Sequence, residues 1–306
     1  MKNTIITLVF LFSRATINAQ ELPGKVKENI LRAVIKIEIP IKKLGKQPNG
    51  TGFLVSQPSK LNPKQRQFFL VTNKHVVGDW NLADGNILNY YSKIDLFLYT
   101  KGNINSKLFQ KKTINILDSS GKTTNKLKLH PNPKVDIAII DITSEIKIIP
   151  DIDLVSFDTS FLLRFDKIYE GSYLGIGDQV FALGYPFGIT SSKSNLPIAK
   201  SGYISSLPGV EFKIEIDCLN RQKGKVQTTA EGKLIIVDGL IVGGNSGGPV
   251  VMPAEIRFKS NEKSGFKYTK GPLNNFVLGI VSMSLGSSGI NVIYSSDYIL
   301  ELMETF

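Results

Sequence analysis

The chain has 306 residues, 42% of them hydrophobic, with 37 Lys and Arg against 26 Asp and Glu and a formal net charge of +11. That apolar share supports a packed core and excludes wholesale disorder, and a single cysteine, Cys218, excludes an intramolecular disulfide. No stretch reaches the roughly 18–20 apolar residues that a spanning helix needs.

Read from the start, Lys2 precedes the apolar run Ile5–Phe12, and a polar segment ends Ile17-Asn18-Ala19-Gln20. This is the pattern of a secretory leader, residues 1–20, which predicts a secreted or periplasmic product. One domain is expected over 21–306. Strand signals then dominate from 28 to 295: Val34–Ile39, Ile94–Tyr99 and Leu234–Val237 are β-branched or alternating, with Gly, Pro, Asn and Ser at short intervals. Such a regime suits sandwiches or barrels. Residues 101–130 hold seven lysines and one acid, Asp118. With one aromatic and no nucleic-acid motif, they read as a solvated face, and no specific nucleic-acid partner is predicted. His130, followed by Pro131 and Pro133, reads as a loop residue. The pattern weakens over 146–170, and residues 207–233, which include Cys218, read as an insertion. At the end, Ser296 can cap a helix over 296–306. Ile299, Leu302, Met303 and Phe306 would share its apolar face.

The chemistry concentrates at Gly243-Gly244-Asn245-Ser246-Gly247-Gly248-Pro249-Val250. Glycine costs backbone entropy and adds nothing to a core, but it permits close approach and unusual dihedrals. Those would expose Ser246 and turn backbone N–H groups toward one point, as a nucleophile beside an oxyanion site requires. A serine hydroxyl needs a base, and His75 ends an apolar strand in Phe68–Val77. An imidazole base needs an acceptor to fix its tautomer. Asp136 stands at the mouth of the run Val135–Ile142. Each of these taken singly has an ordinary structural explanation; their ordered coincidence does not.

Thr72-Asn73-Lys74-His75-Val76-Val77, Asp136-Ile137-Ala138 and Gly244–Pro249 resemble the three motifs of trypsin/chymotrypsin-like serine proteases, in that family's order. Three further segments, Gly50–Val55, Asp178–Gly188 and Lys200–Ser205, are most similar to its bacterial HtrA/Deg-type branch. The resemblance spans about residues 28 to 303. It implies an all-β fold of two six-stranded antiparallel barrels, about 28–145 and 170–295, with a C-terminal helix. It implies a catalytic triad of His75, Asp136 and Ser246, and an oxyanion hole at Gly244, Asn245 and Ser246. Gly279–Ser284 resembles the strand that pairs with substrate, so Ser282, Met283 and Ser284 are expected to bind it, with Leu240 in the primary pocket. Leu240 stands where trypsin-type enzymes carry an acid, which predicts apolar or small side chains at the cut. No cofactor and no metal are implied; the partners are protein or peptide substrates.

Asn245 replaces the carboxylate that pairs with a new N-terminus in zymogen-activated relatives, so activation of that kind is not expected. Sixty residues follow Ser246; they are needed for the second barrel and leave no room for a PDZ domain. The alternative from a different class is a latent or catalytically weak binding protein on the same fold.

Overall fold

The computed structural model describes residues 26–40, 49–81, 84–101, 108–166, 174–190, 193–220, 224–253, 257–261, 265–269, 276–285 and 288–306. The expected leader, 1–20, lies outside these residues. A one-turn helix α1 (Glu28–Leu31) precedes the first strand, so strand structure begins at Val34, later than the sequence suggested.

The first half contains β1 (Val34–Glu38), β2 (Asn49–Pro58), β3 (Arg66–Thr72), β4 (Gly78–Trp80), β5 (Ile87–Tyr90), β6 (Lys93–Tyr99), β7 (Phe109–Asn115), β8 (Leu127–Leu129) and β9 (Ala138–Asp141). One-turn helices α2 (Lys74–Val77) and α3 (Thr143–Lys147) interrupt them. The main sheet runs β7-β6-β1-β2-β3-β9-β8, and β4–β5 form a separate hairpin. Strand side chains alternate between faces, and here both faces are buried. Ile35, Ile37, Leu54, Leu70, Leu96, Leu98 and Ile140 fill a core inside the first half. Their alternates, Val34, Phe53, Val55, Phe69, Val71 and Ile139, face a second core shared with the other half. This is why the sequence of these strands is apolar at almost every position rather than at every second one.

The described part of the expected join, 146–166, crosses between the halves. β10 (Phe157–Asp158) adds to β2 in parallel, and Leu163 N donates to Val277 O at 2.9 Å. The second half contains β11 (Gln179–Gly184), β12 (Ile198–Ile204), β13 (Phe212–Asn220), β14 (Gly224–Gly232), β15 (Leu234–Asp238), β16 (Pro249–Val251), β17 (Arg257–Asn261), β18 (Gly265–Thr269), β19 (Val277–Ser284) and β20 (Ile290–Ser295). Six of these close into a barrel, β11-β12-β15-β20-β19-β16, around Val180, Ile204, Ile235, Val250, Leu278 and Ile293. β13–β14 is a two-stranded hairpin within the expected insertion, with Cys218 paired to Val226; β17–β18 is a second hairpin that the sequence did not reveal.

The fold is all-β as expected, but only the second barrel closes. In the first half no ladder joins the end strands β7 and β8 among the described residues. Their connection carries one bridge, Leu117–Thr123, and a Thr124 N to Ile116 O bond of 2.9 Å.

The terminal helix α4 spans Ser296–Met303. Its N-cap is Ser295, one residue earlier than expected, whose Oγ accepts from Asp297 N at 3.2 Å. Ser296 Oγ bonds Leu163 O instead. Ile299, Leu302 and Met303 enter the shared core, so the helix packs on both halves rather than on the second barrel alone. Phe306 lies 4.9 Å from Phe69 between ring centroids. Among the described residues no helix is long and apolar enough to cross a membrane.

Candidate active site

Where β3 ends, Asn73 begins α2 and places His75 on a single helical turn rather than in the strand. The loop between β8 and β9 brings Asp136 beneath it. His75 Nδ1 and Asp136 Oδ2 are 2.7 Å apart, and His75 N donates to Asp136 Oδ1 at 3.2 Å. Asp136 is fully buried, whereas the His75 side chain is 34% exposed. The carboxylate takes a third bond, from Ser282 Oγ at 2.8 Å, and Asn73 Nδ2 donates to its backbone carbonyl at 2.6 Å. Burial works against charging the imidazole, but the Asp136 charge and its hydrogen bond outweigh burial and raise the His75 pKa above the usual 6.5. The Trp80 ring stacks 6.4 Å from the imidazole.

The Ser246 turn is held against β2 through its own backbone carbonyls. Thr51 N donates to Ser246 O at 2.9 Å, and Thr51 Oγ1 donates to Gly244 O at 2.6 Å. Thr72 Oγ1 donates to Thr51 O at 2.7 Å, which joins this turn to the strand leading to His75. Two glycines are obligatory. Gly244 has φ +97°, and a Cβ there would lie 2.3 Å from Tyr185 O. Gly247 has φ +87°, and its Cβ would lie 2.0 Å from Thr51 O. Only glycine combines that dihedral with that approach.

The N–H groups of Gly244 and Ser246 have no backbone acceptor among the described residues, while Asn245 N donates to Val242 O at 3.2 Å. Asn245 therefore drops out of the expected oxyanion set, because its N–H is already committed. Its side chain is fully buried, with neither amide atom hydrogen-bonded among the described residues. Ser246 is half-buried, and no hydrogen bond joins its hydroxyl to His75 among the described residues.

Other expected residues fall differently. The Ser282 side chain is buried and turned onto Asp136, where it braces the acid–base pair. Met283 is half-buried and Ser284 exposed on β19. Leu240 is 68% exposed. His130 lies in the β8–β9 loop, as expected, but is buried there. It is 5% exposed, with Nε2 3.4 Å from Glu301 and its ring edge on Tyr298. Several lysines of the basic stretch are engaged: Lys111 with Asp95 at 2.6 Å, Lys126 with Glu145, and Lys128 4.2 Å over the Phe306 ring. Among the described residues no cluster of three His, Cys, Asp or Glu could hold a metal. Thr51 and Lys74 are contributors that the sequence did not single out. Their roles depend on partners far along the chain, so no local signal marks them.

A family model described as a trypsin-like peptidase domain matches residues 50–257. No curated protein matches the sequence. Among solved structures, the chain is similar to the Rv3671c protease in its inactive form at 16% identity and a TM-score of 0.45, covering 90% of this chain and 89% of that one. It is also similar to the active form of that protease from M. tuberculosis, at 15% identity and a TM-score of 0.44, covering 90% and 81%.

Proposed function

The chain belongs to the trypsin-like peptidase domain family, and on that premise we propose that it is an exported serine endopeptidase working through His75, Asp136 and Ser246. The observation that carries this reading is the His75–Asp136 pair at 2.7 Å, with Asp136 buried and braced by Ser282. Asp136 accepts the Nδ1–H, which leaves Nε2 as the base. His75 takes the Ser246 proton as Oγ attacks a peptide carbonyl, and then protonates the leaving amine. The N–H groups of Gly244 and Ser246 are the donors for the oxyanion. Water then cleaves the acyl-enzyme by the same exchange. Export rests on the leader pattern of residues 1–20 alone. Cuts are expected after apolar or small side chains.

A second reading, a latent protein on the same fold, is favoured by the lack of a Ser246–His75 hydrogen bond among the described residues, although such bonds are often long before substrate binds. A fluorophosphonate probe separates the two. The protease reading requires labelling of the wild type, none of Ser246→Ala, and casein cleavage that the mutant lacks. Folded wild type that neither labels nor cleaves means the latent form.

A further inference from the structure

Lys74, the residue before the imidazole, is 2% exposed. An ammonium is costly to bury unless it is paired and hydrogen-bonded. Its Nζ leaves α2 and reaches the β8–β9 loop, donating to Asn132 O at 3.0 Å and to Pro133 O at 3.4 Å. The same loop carries Asp136. One side chain therefore spans the two segments that hold the two ends of the 2.7 Å His75–Asp136 contact.

We propose that Lys74 is a positioning residue of the hydrolytic reaction: its buried ammonium ties the His75 turn to the Asp136 loop and favours the neutral, proton-accepting imidazole. This rests on the protease reading above. Two effects act together. The bonds to Asn132 and Pro133 fix the loop backbone that aims Asp136. The positive charge attracts the Asp136 carboxylate, so it competes with the imidazole for that charge and weakens the pull of Asp136 that raises His75. Burial lowers the Lys74 pKa to about 8, against the pull of Asp136. Hydrolysis then needs neutral His75 and charged Lys74. It rises as pH passes the His75 value and falls as pH passes that of Lys74.

The groups around Lys74 leave this role to it. His130, on the same loop, is kept from charging by burial first and by Lys74 as well, with Glu301 opposing. Lys134 is paired with Glu231 at 3.1 Å, and Tyr294 OH donates to Lys134 O at 2.6 Å. On the hairpin packed against α2, Asp79 accepts from Tyr91 OH at 3.2 Å and Asp84 from Asn86 N at 2.9 Å. Burial raises the Tyr90 hydroxyl there, so it stays neutral through this range.

Lys74→Gln keeps a donor and removes the charge; Lys74→Arg keeps a charge that does not titrate. The readouts are kcat/KM from about pH 5 to about pH 10 and His75 titration by NMR, which needs no turnover. The wild type is expected to lose activity above about pH 8. Both variants lose that alkaline limb. In Lys74→Gln the His75 pKa rises by about one unit, and kcat/KM near neutrality falls by about tenfold. An unmoved His75 titration in Lys74→Gln, or an alkaline limb that persists in both variants, overturns the proposal. Should Lys74→Gln not fold, the wild type decides: its His75 signals must shift again near pH 8, and a single inflection overturns the proposal. If nothing hydrolyses at any pH but His75 still shifts in Lys74→Gln, the protease reading fails while the Lys74 effect on the imidazole stands.

Discussion

The two halves hold their parts of the site by different means. Around Asp136, on the open first sheet, side chains do the holding: Asn73 and Lys74 from the first half and Ser282 reaching over from β19 of the barrel bond to Asp136 or to its loop. In the closed second barrel the Ser246 turn is held by backbone, at approaches that glycine alone allows. Polar side chains can be trimmed one at a time, so damage to the first half should be graded. A backbone clash cannot be trimmed, so damage to the second should be abrupt.

The largest expected effect tests that abruptness. Gly247→Ala places a methyl 2.0 Å from Thr51 O at φ +87°. It should cost about 3 kcal/mol or more in unfolding free energy and abolish fluorophosphonate labelling. A variant that labels normally would break the contrast. Leu302→Ala strikes the core that both halves share. It should cost about 3 kcal/mol by denaturant unfolding while leaving the pH profile of the surviving enzyme unchanged. Ser282→Ala is the graded case: kcat/KM should fall by about tenfold with labelling retained, because the His75 bond to Asp136 remains. Loss as complete as that of Ser246→Ala would mean that Ser282 does more than brace Asp136. Ser295→Ala removes the helix cap together with the 2.9 Å donation from Ser295 Oγ to Asp297 Oδ2 and should cost about 1–2 kcal/mol, with kcat/KM unaltered.

A pH effect on stability sharpens the same point. His75 has its folded pKa raised, so its contribution is fully present below the unfolded value of 6.5 and is lost as pH rises through the folded value. Asp136→Asn should remove much of that acid-side contribution. The unfolding midpoints of wild type and variant should therefore lie closer together at pH 8 than at pH 6.

The candidate site was legible wherever its chemistry is written locally. The glycines around Ser246 appear in one eight-residue string because the geometry they permit is local, and His75 and Asp136 sit at recognisable strand edges. What the sequence could not show were roles made by distant partners. Ser282 meets Asp136 across 146 residues, a contact that nothing in the Gly279–Ser284 segment announces. His130 is the loop residue the sequence suggested, but its burial was not legible because it comes from Tyr298 and Glu301 on the terminal helix. Asn245 looked like a donor because nothing in the string shows its N–H turning back to Val242. The all-β class followed from periodicity. The failure of the first barrel to close did not, since it depends on whether two distant end strands meet.

The terminal helix also bears on the order in which the molecule can be assembled. Lys60 Nζ donates to Phe306 O at 3.0 Å across 246 residues, and Ile299, Leu302 and Met303 lie among Phe53, Phe69 and Val71. The first half is synthesised well before the helix that covers its outer apolar face. Until that helix emerges, the nascent sheet presents a bare aromatic wall, the kind of intermediate on which aggregation and chaperone capture act. The same lag separates His75 and Asp136 from Ser246, so the three proposed catalytic groups cannot be joined while the chain is still half made.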